Sequence, residues 1–143
     1  MDTVEPVAGQ DFLGGYVRWL GLEILEADGD HVAAAWEVRP DHLQPYGIVH
    51  GGVHCSVIET LASTGAASWL GERGKVVGVS NQTDFLRAVR EVRLTALATP
   101  VHRGRLQQLW QVEIRDPDDK LVARGQVRLQ NIPNDRLTEG ARS

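Results

Sequence analysis

Residues 51–70 read GGVHCSVIETLASTGAASWL and form the one long helix that the sequence predicts. Gly71 and Gly74 follow this segment, and glycine just after a helical pattern is typical of a helix C-terminus. Every residue from 62 to 68 is small, so a β-sheet can approach this part of the helix closely. We therefore expect a central helix with a sheet wrapped around it.

Six segments of β-type composition accompany the helix, two before it and four after it. They are residues 22–26, 32–38, 76–86, 92–102, 107–115 and 121–130. Turn residues at 28–30, 104 and 116–119 separate them and predict hairpins in a mainly antiparallel sheet. A short helix at 11–20 and a loop at 39–50 complete the pattern. One helix on one antiparallel sheet is an α+β plan, and a sheet curled around a single central helix is the hotdog fold.

The bulk properties of the chain exclude several classes of protein. Its 143 residues suit one domain, which we place at 11–132 between flexible tails at 1–10 and 133–143. The formal net charge of -4 disfavours nucleic acid as a partner. There is one cysteine, no signal-peptide pattern and no apolar segment of membrane-spanning length. We expect a cytoplasmic protein that has no disulfide within the chain and no membrane partner.

Glu59 is the only charged residue between His54 and Glu72. A carboxylate on an otherwise uncharged helix lies either on a narrow exposed stripe or in a buried functional position. Ser63 follows four residues later on the same face of the helix, where its hydroxyl could orient a water molecule. Glu59 is therefore the first candidate for catalysis.

The helix begins with His50-Gly51-Gly52. Two glycines leave backbone N–H groups uncovered, and with the helix dipole they form a potential oxyanion site; the alternative is a plain turn. Gly51 and Glu59 are eight residues apart, which is about 12 Å along a helix axis. One carbonyl cannot touch both within a single chain, so joint catalysis predicts an obligate dimer with shared sites.

Two further features allow more than one interpretation. His50 and His54 have the spacing of helical metal ligands, but spacing places no third ligand, so we expect no metal and no other cofactor. Arg87, Arg90 and Arg93 form a local basic cluster. Such a cluster suits either a phosphate-bearing small molecule or a solvated strand edge.

The run Gln44-x5-His50-Gly51-Gly52-x6-Glu59-x3-Ser63 resembles the hotdog acyl-CoA thioesterases of the 4-hydroxybenzoyl-CoA and phenylacetate-pathway type. Three later segments strengthen the resemblance: KVVG at 75–78, FLRAVRE at 85–91 and PVHRGRLQQLWQVEIRD at 100–116. They are similar to the subgroup that hydrolyses 1,4-dihydroxy-2-naphthoyl-CoA in menaquinone synthesis and to the enterobactin-pathway proofreading thioesterase. The resemblance extends over residues 12–132, although VSNQTD at 79–84 departs from that subgroup's asparagine-rich strand.

The resemblance implies hydrolysis of an acyl-CoA thioester with an aromatic or medium-sized acyl group, by a homodimer or homotetramer. Glu59 would be the nucleophile or the base that activates water, and the partner's Gly51 would polarise the carbonyl through its N–H. Gln44 and His50 would lie near the thiol and the carbonyl, and Ser63 would orient water. Substrate and coenzyme A contacts would come from Gly52, Gly78, Phe85, Leu86, Arg87, Ala88, His102, Arg103, Gly104 and Arg105.

Two other functions stay open. A hotdog hydratase or dehydratase also combines a carboxylate with a histidine, although HGG-x6-Glu is not its signature. A non-catalytic acyl-CoA-binding module would keep the fold and the coenzyme A channel without turnover.

Overall fold

One long helix lies against a six-stranded antiparallel sheet. The computed structural model of the protein describes residues 14–135. In chain order the elements are α1 (Gly14–Leu20), β1 (Glu23–Ala27), β2 (Val32–Glu37), α2 (Gly51–Leu70), β3 (Gly74–Phe85), β4 (Arg93–Arg103), β5 (Gln107–Arg115) and β6 (Leu121–Pro133).

The strand order is β1-β2-β4-β5-β6-β3, and all neighbouring strands are antiparallel. The connection through α2 therefore carries the chain from β2 to the opposite edge of the sheet, where β3 pairs with β6. On its other side β3 pairs with no strand of residues 14–135. The helix contacts all six strands, so the α+β hotdog fold predicted from the sequence is confirmed.

The observed elements differ from the predicted ones mainly at their ends. α2 has the predicted bounds, while β6 continues to Pro133, three residues beyond the predicted end. The predicted loop at 39–50 contains a short 3₁₀ turn, Pro40–His42. Residues 11–13 of the predicted first helix lie outside the described residues, as do 1–10 and 136–143 of the predicted tails. No helix within 14–135 is long and apolar enough to cross a membrane.

The small residues of α2 allow it to rest directly on the sheet. The side chains of Ile58 and Leu61, both on α2, are fully buried. Gly65 approaches β5 so closely that a Cβ at this position would lie 2.5 Å from the ring of Trp110. Trp110 cannot easily move, because it is 0% exposed and its Nε1 donates to Gln108 Oε1 at 2.9 Å. These contacts therefore define a single packing position for the helix on the sheet.

Gly65→Ala tests this contact. Alanine in place of glycine at an unstrained helical position usually stabilises a protein by about 0.4–1 kcal/mol. Here the added methyl group overlaps the Trp110 ring, so we expect the free energy of unfolding in urea to fall by about 1–3 kcal/mol, the usual range for overpacking. Gly15→Ala is the matched control, since a Cβ there would meet no atom within 4 Å beyond its chain neighbours and its own helix backbone. A stabilised Gly65→Ala variant would contradict the close contact.

Candidate active site

A chain of hydrogen bonds from β3 holds the Glu59 carboxylate. Asn81 Nδ2 donates to Glu59 Oε2 at 3.1 Å and to the Cys55 carbonyl oxygen at 3.1 Å. Thr83 Oγ1 donates to Asn81 Oδ1 at 2.7 Å, which orients the NH₂ group of Asn81 toward the carboxylate. Glu59 is half-buried, and this network determines where its oxygens lie.

Gly78 provides the space that the carboxylate occupies beside β3. A Cβ at this position would overlap Glu59 Oε1. The pairing of β3 with β6 also shifts register between Gly78 and Ser80, an irregularity of the kind that re-aims side chains on a strand. Gly78, predicted as a substrate contact, therefore lies against the candidate catalytic carboxylate of its own chain.

A cleft of about 280 Å³, here called the N-terminal cleft, opens beside the start of α2. Its lining residues are Gln44, Ile48, Val49, Gly51, His54, Phe85, Leu86, Arg87 and Ala88. The structure thus brings the start of the helix together with one predicted coenzyme A segment, residues 85–88. Gln44 is held at the wall of the cleft by a turn in which its N–H donates to the Ile48 carbonyl oxygen at 2.8 Å.

Only one of the two glycines at the helix start keeps an unused amide. His50 caps the helix, because its Nδ1 accepts from the Gly52 N–H at 2.8 Å. The Gly51 N–H has no acceptor among residues 14–135 and lies at the positive end of the helix dipole. A Cβ at Gly51 would also lie 2.5 Å from the Phe85 ring. The expectation that both amides are uncovered is therefore wrong for Gly52, whose N–H is used for capping.

His54 is a buried histidine in the wall of the N-terminal cleft. It is 3% exposed, and burial lowers its pKa from 6.5 to about 4, so the ring is neutral near pH 7. Its Nδ1 has no hydrogen-bond partner among the described residues. His50, which shares the metal-like spacing, is exposed and caps the helix. No group of three or more metal-ligating side chains occurs within 14–135.

A second cleft, of about 430 Å³ and here called the C-terminal cleft, lies at the other end of α2. Its lining residues are Trp69, Leu70, Arg73, Arg103, Gly104, Arg105, Asn131 and Pro133. Asn131 Nδ2 shapes the turn between β4 and β5 by donating to the carbonyl oxygens of Gly104 at 2.9 Å and Arg105 at 3.2 Å. His102 is exposed on β4 and lines neither cleft.

The predicted site residues therefore fall into three places within one chain. Glu59 lies against β3, and the half-buried Ser63 follows one helical turn later. Gln44 and Gly51 line the N-terminal cleft, and the 103–105 turn lines the C-terminal cleft. Gly51 and Glu59 are about 12 Å apart along the axis of α2. A single chain does not bring the unused amide to the carboxylate.

The arginines of the predicted basic cluster, Arg87, Arg90 and Arg93, have different surroundings and do not form a single binding site. Arg93 forms ion pairs with Glu23 at 3.0 Å and Glu37 at 3.1 Å, and Arg90 donates to a loop carbonyl oxygen at 3.1 Å. Of the three arginines, only Arg87 lines the N-terminal cleft. The acidic partners of Arg93 come from β1 and β2, which its neighbours in the sequence do not reveal.

Sequence reasoning missed the side chains that position Glu59. Asn81 and Thr83 are two residues apart, so they share one face of a strand. The run VSNQTD at 79–84, in the first strand after α2 and polar from residue 80 onward, was the only signal that this strand faces a polar site. Asn131, which shapes the turn at Gly104, has no signal in the local pattern.

Comparison with known proteins connects this geometry to a family. Residues 46–123 match the thioesterase superfamily. The structure of S. sahachiroi AziG has a TM-score of 0.83 and 56% identity, covering 85% of this chain and 98% of that chain. A thioesterase structure from Haemophilus influenzae has a TM-score of 0.83 and 34% identity, covering 93% of this chain and 92% of that chain. The 1,4-dihydroxy-2-naphthoyl-CoA hydrolase of Escherichia coli is 32% identical over 110 residues, 76% of this chain and 79% of that protein.

The chain therefore belongs to the thioesterase superfamily. Its sheet wrapped around a single helix is the hotdog fold of that family, and the protein is a thioester hydrolase. The resemblance found from the motifs is confirmed at this level, while the phenylacetate-pathway subtype stays a prediction.

Gly78→Ala should displace the Glu59 carboxylate without unfolding the protein. The new Cβ overlaps Oε1, and the end of a glutamate side chain can turn away at little cost to stability. Misplacing a reacting group by about 1 Å can cost about 10²-fold in rate, so we expect thioester hydrolysis to fall at least about tenfold with an unchanged unfolding midpoint. Lys75→Ala, nearer the start of β3, is the control. Wild-type turnover by Gly78→Ala would show that the carboxylate's position is unimportant.

Proposed function

We propose that this protein hydrolyses acyl-CoA thioesters at sites shared by two copies of the chain. The Glu59 carboxylate of one copy and the N–H of the partner's Gly51 act on the same thioester. The observation that carries the proposal is a fixed carboxylate and an unused helix-start amide on one helix, about 12 Å apart. Two such helices side by side and antiparallel supply both groups to one substrate.

The reaction needs one oxygen nucleophile and stabilisation of one oxyanion. In one route Glu59 takes a proton from water while the water oxygen attacks the carbonyl carbon. In the other route the carboxylate attacks and forms an anhydride, which water then hydrolyses. In both, the Gly51 N–H stabilises the charge on the carbonyl oxygen, the C–S bond breaks, and the thiolate takes up a proton. An oxygen-18 label in Glu59 after one turnover in labelled water would identify the second route.

The edge of β3 supports the pairing of two chains. β3 pairs with β6 on one side, and Val77, Val79 and Phe85 expose apolar side chains. An unpaired edge with apolar side chains is a template for another strand. Two copies joined antiparallel at β3 about a twofold axis would place their α2 helices antiparallel. A tetramer of two such dimers stays a prediction.

The same arrangement would combine the two clefts into one coenzyme A channel. They lie at opposite ends of α2, and antiparallel helices bring opposite ends of two chains together. Arg87 of one chain and Arg105 of its partner would then meet the phosphates, because guanidinium groups bind phosphate through paired hydrogen bonds.

Thiol release from a panel of acyl-CoA thioesters tests the proposal. The Escherichia coli relative is named for an aromatic acyl-CoA, so we expect benzoyl-CoA to be hydrolysed faster than acetyl-CoA or palmitoyl-CoA. Glu59→Ala should fold and dimerise but lose about 10²–10⁴-fold in turnover, the usual contribution of a general base. Glu72→Ala, exposed just after α2, is the control. Hydration of an enoyl-CoA without thiol release would favour the hydratase alternative, and binding without either reaction would favour the non-catalytic module.

Mixing two inactive variants tests whether the sites are shared. Gly51→Pro deletes the N–H and keeps the helix, because proline is favoured at the first helical position. The extended backbone of His50, with φ -64 and ψ 132, suits a residue before proline. Gly51→Ala is the matched control, since it adds the same Cβ beside Phe85 and keeps the N–H.

Hybrids of Glu59→Ala with Gly51→Pro should regain activity, up to about half that of the wild-type dimer, since each hybrid has one intact and one doubly defective site. Dimers in which both chains carry Glu59→Ala should stay inactive. If both groups acted from the same chain, the hybrid would contain no intact site. An inactive mixture in which hybrid dimers are demonstrated would therefore overturn the shared site.

A further inference from the structure

His54 is a buried polar side chain for which the proposed chemistry has no role. It lines the N-terminal cleft together with Gln44, Gly51 and residues 85–88. It is 3% exposed, and its Nδ1 has no hydrogen-bond partner among the described residues. Buried polar groups are nearly always hydrogen-bonded. The Nδ1 atom itself is closed off from the cleft, so a turn of the ring, which lines this wall, would present the unpaired nitrogen to a ligand that completes it.

The position of His54 on α2 defines which part of a substrate it can reach. It follows Gly51 by three residues, roughly 4.5 Å along the helix axis, and its ring centroid lies 6.1 Å from that of Phe85. Gly51 is the proposed contact of the thioester carbonyl, and residues 85–88 are the proposed path of coenzyme A. The substrate segment between these two contacts is the cysteamine end of the pantetheine arm, which carries an amide.

The chemistry of the ring matches a neutral amide. Burial keeps the pKa of His54 at about 4, so near pH 7 one ring nitrogen donates and the other accepts a hydrogen bond. An amide offers both an N–H and a carbonyl oxygen. Gln44 and Arg87 also line this wall, but the Gln44 Oε1 accepts from the Tyr46 N–H and the Arg87 guanidinium donates hydrogen bonds without accepting any.

We propose that His54 binds the cysteamine amide of the acyl-CoA substrate through a hydrogen bond, so that the enzyme prefers pantetheine-linked thioesters to simple alkyl thioesters. This inference rests on the proposed function, because it requires a thioester in the N-terminal cleft. His54 is thus a substrate-binding residue, distinct from His50, which caps the helix.

The test compares three benzoyl thioesters: those of coenzyme A, N-acetylcysteamine and butanethiol. The first two contain the cysteamine amide and the third does not. His54→Leu should lower kcat/KM about 3–10-fold for the first two, the loss expected for one neutral hydrogen bond, mainly through KM. It should leave the butanethiol thioester unchanged. His54→Gln, which also donates and accepts, should recover part of the loss.

A purely structural role for His54 predicts an equal loss on all three thioesters, and that result would overturn the inference, as would an unchanged kcat/KM on all three. If His54→Leu does not fold, His54→Phe keeps a ring without nitrogens and replaces it. Glu59→Ala should lose about 10²–10⁴-fold in turnover on all three substrates. A wild-type protein that releases no thiol would overturn the proposed function and this inference together, whereas normal wild-type turnover with a uniform His54 effect would overturn the inference alone.

Discussion

Close contact between α2 and the sheet determines where every other part of the site lies. Gly65 lets the helix reach the ring of Trp110, and Gly78 lets β3 reach the Glu59 carboxylate. Protein interiors are packed so tightly that even one added methylene perturbs them. These contacts therefore define both the rotation of α2 about its axis and its distance from the sheet. Each side chain on α2 therefore has a defined relation to the sheet.

A helix held in this way separates the parts of the site by a set distance. Gly51 and Glu59 are about 12 Å apart because an α-helix rises by about 1.5 Å per residue, and no loop movement can shorten that distance. The two clefts likewise lie at opposite ends of α2. This is why the proposed chemistry needs a second chain. It is also why the edge of β3 that pairs with no strand of residues 14–135 matters as much as the candidate catalytic carboxylate.

Much of the fold was predictable because its signals are local. The small residues at 62–68 and the glycines after residue 70 indicate a closely packed helix and its end, and α2 has the predicted bounds. The basic cluster shows the limit of such reasoning. Arg87 and Arg93 look equivalent in the sequence, but Arg93 is neutralised by Glu23 and Glu37 from strands far from it along the chain.

The amino-acid sequence alone was enough to select the candidate catalytic residues of this thioester hydrolase: a lone glutamate on an uncharged helix, a glycine at its start, and the spacing between them. These are properties of neighbouring residues, so the pattern contains them. Three other features became visible only in the folded chain: Asn81 holds the Glu59 carboxylate, His50 rather than a substrate uses the Gly52 amide, and His54 is buried and neutral. The orientation of Glu59 and the burial of His54 depend on packing between α2 and β3, where Asn81 contacts Glu59, 22 positions away, and Cys55, 26 positions away. The capping bond depends on backbone geometry that a sequence pattern does not define.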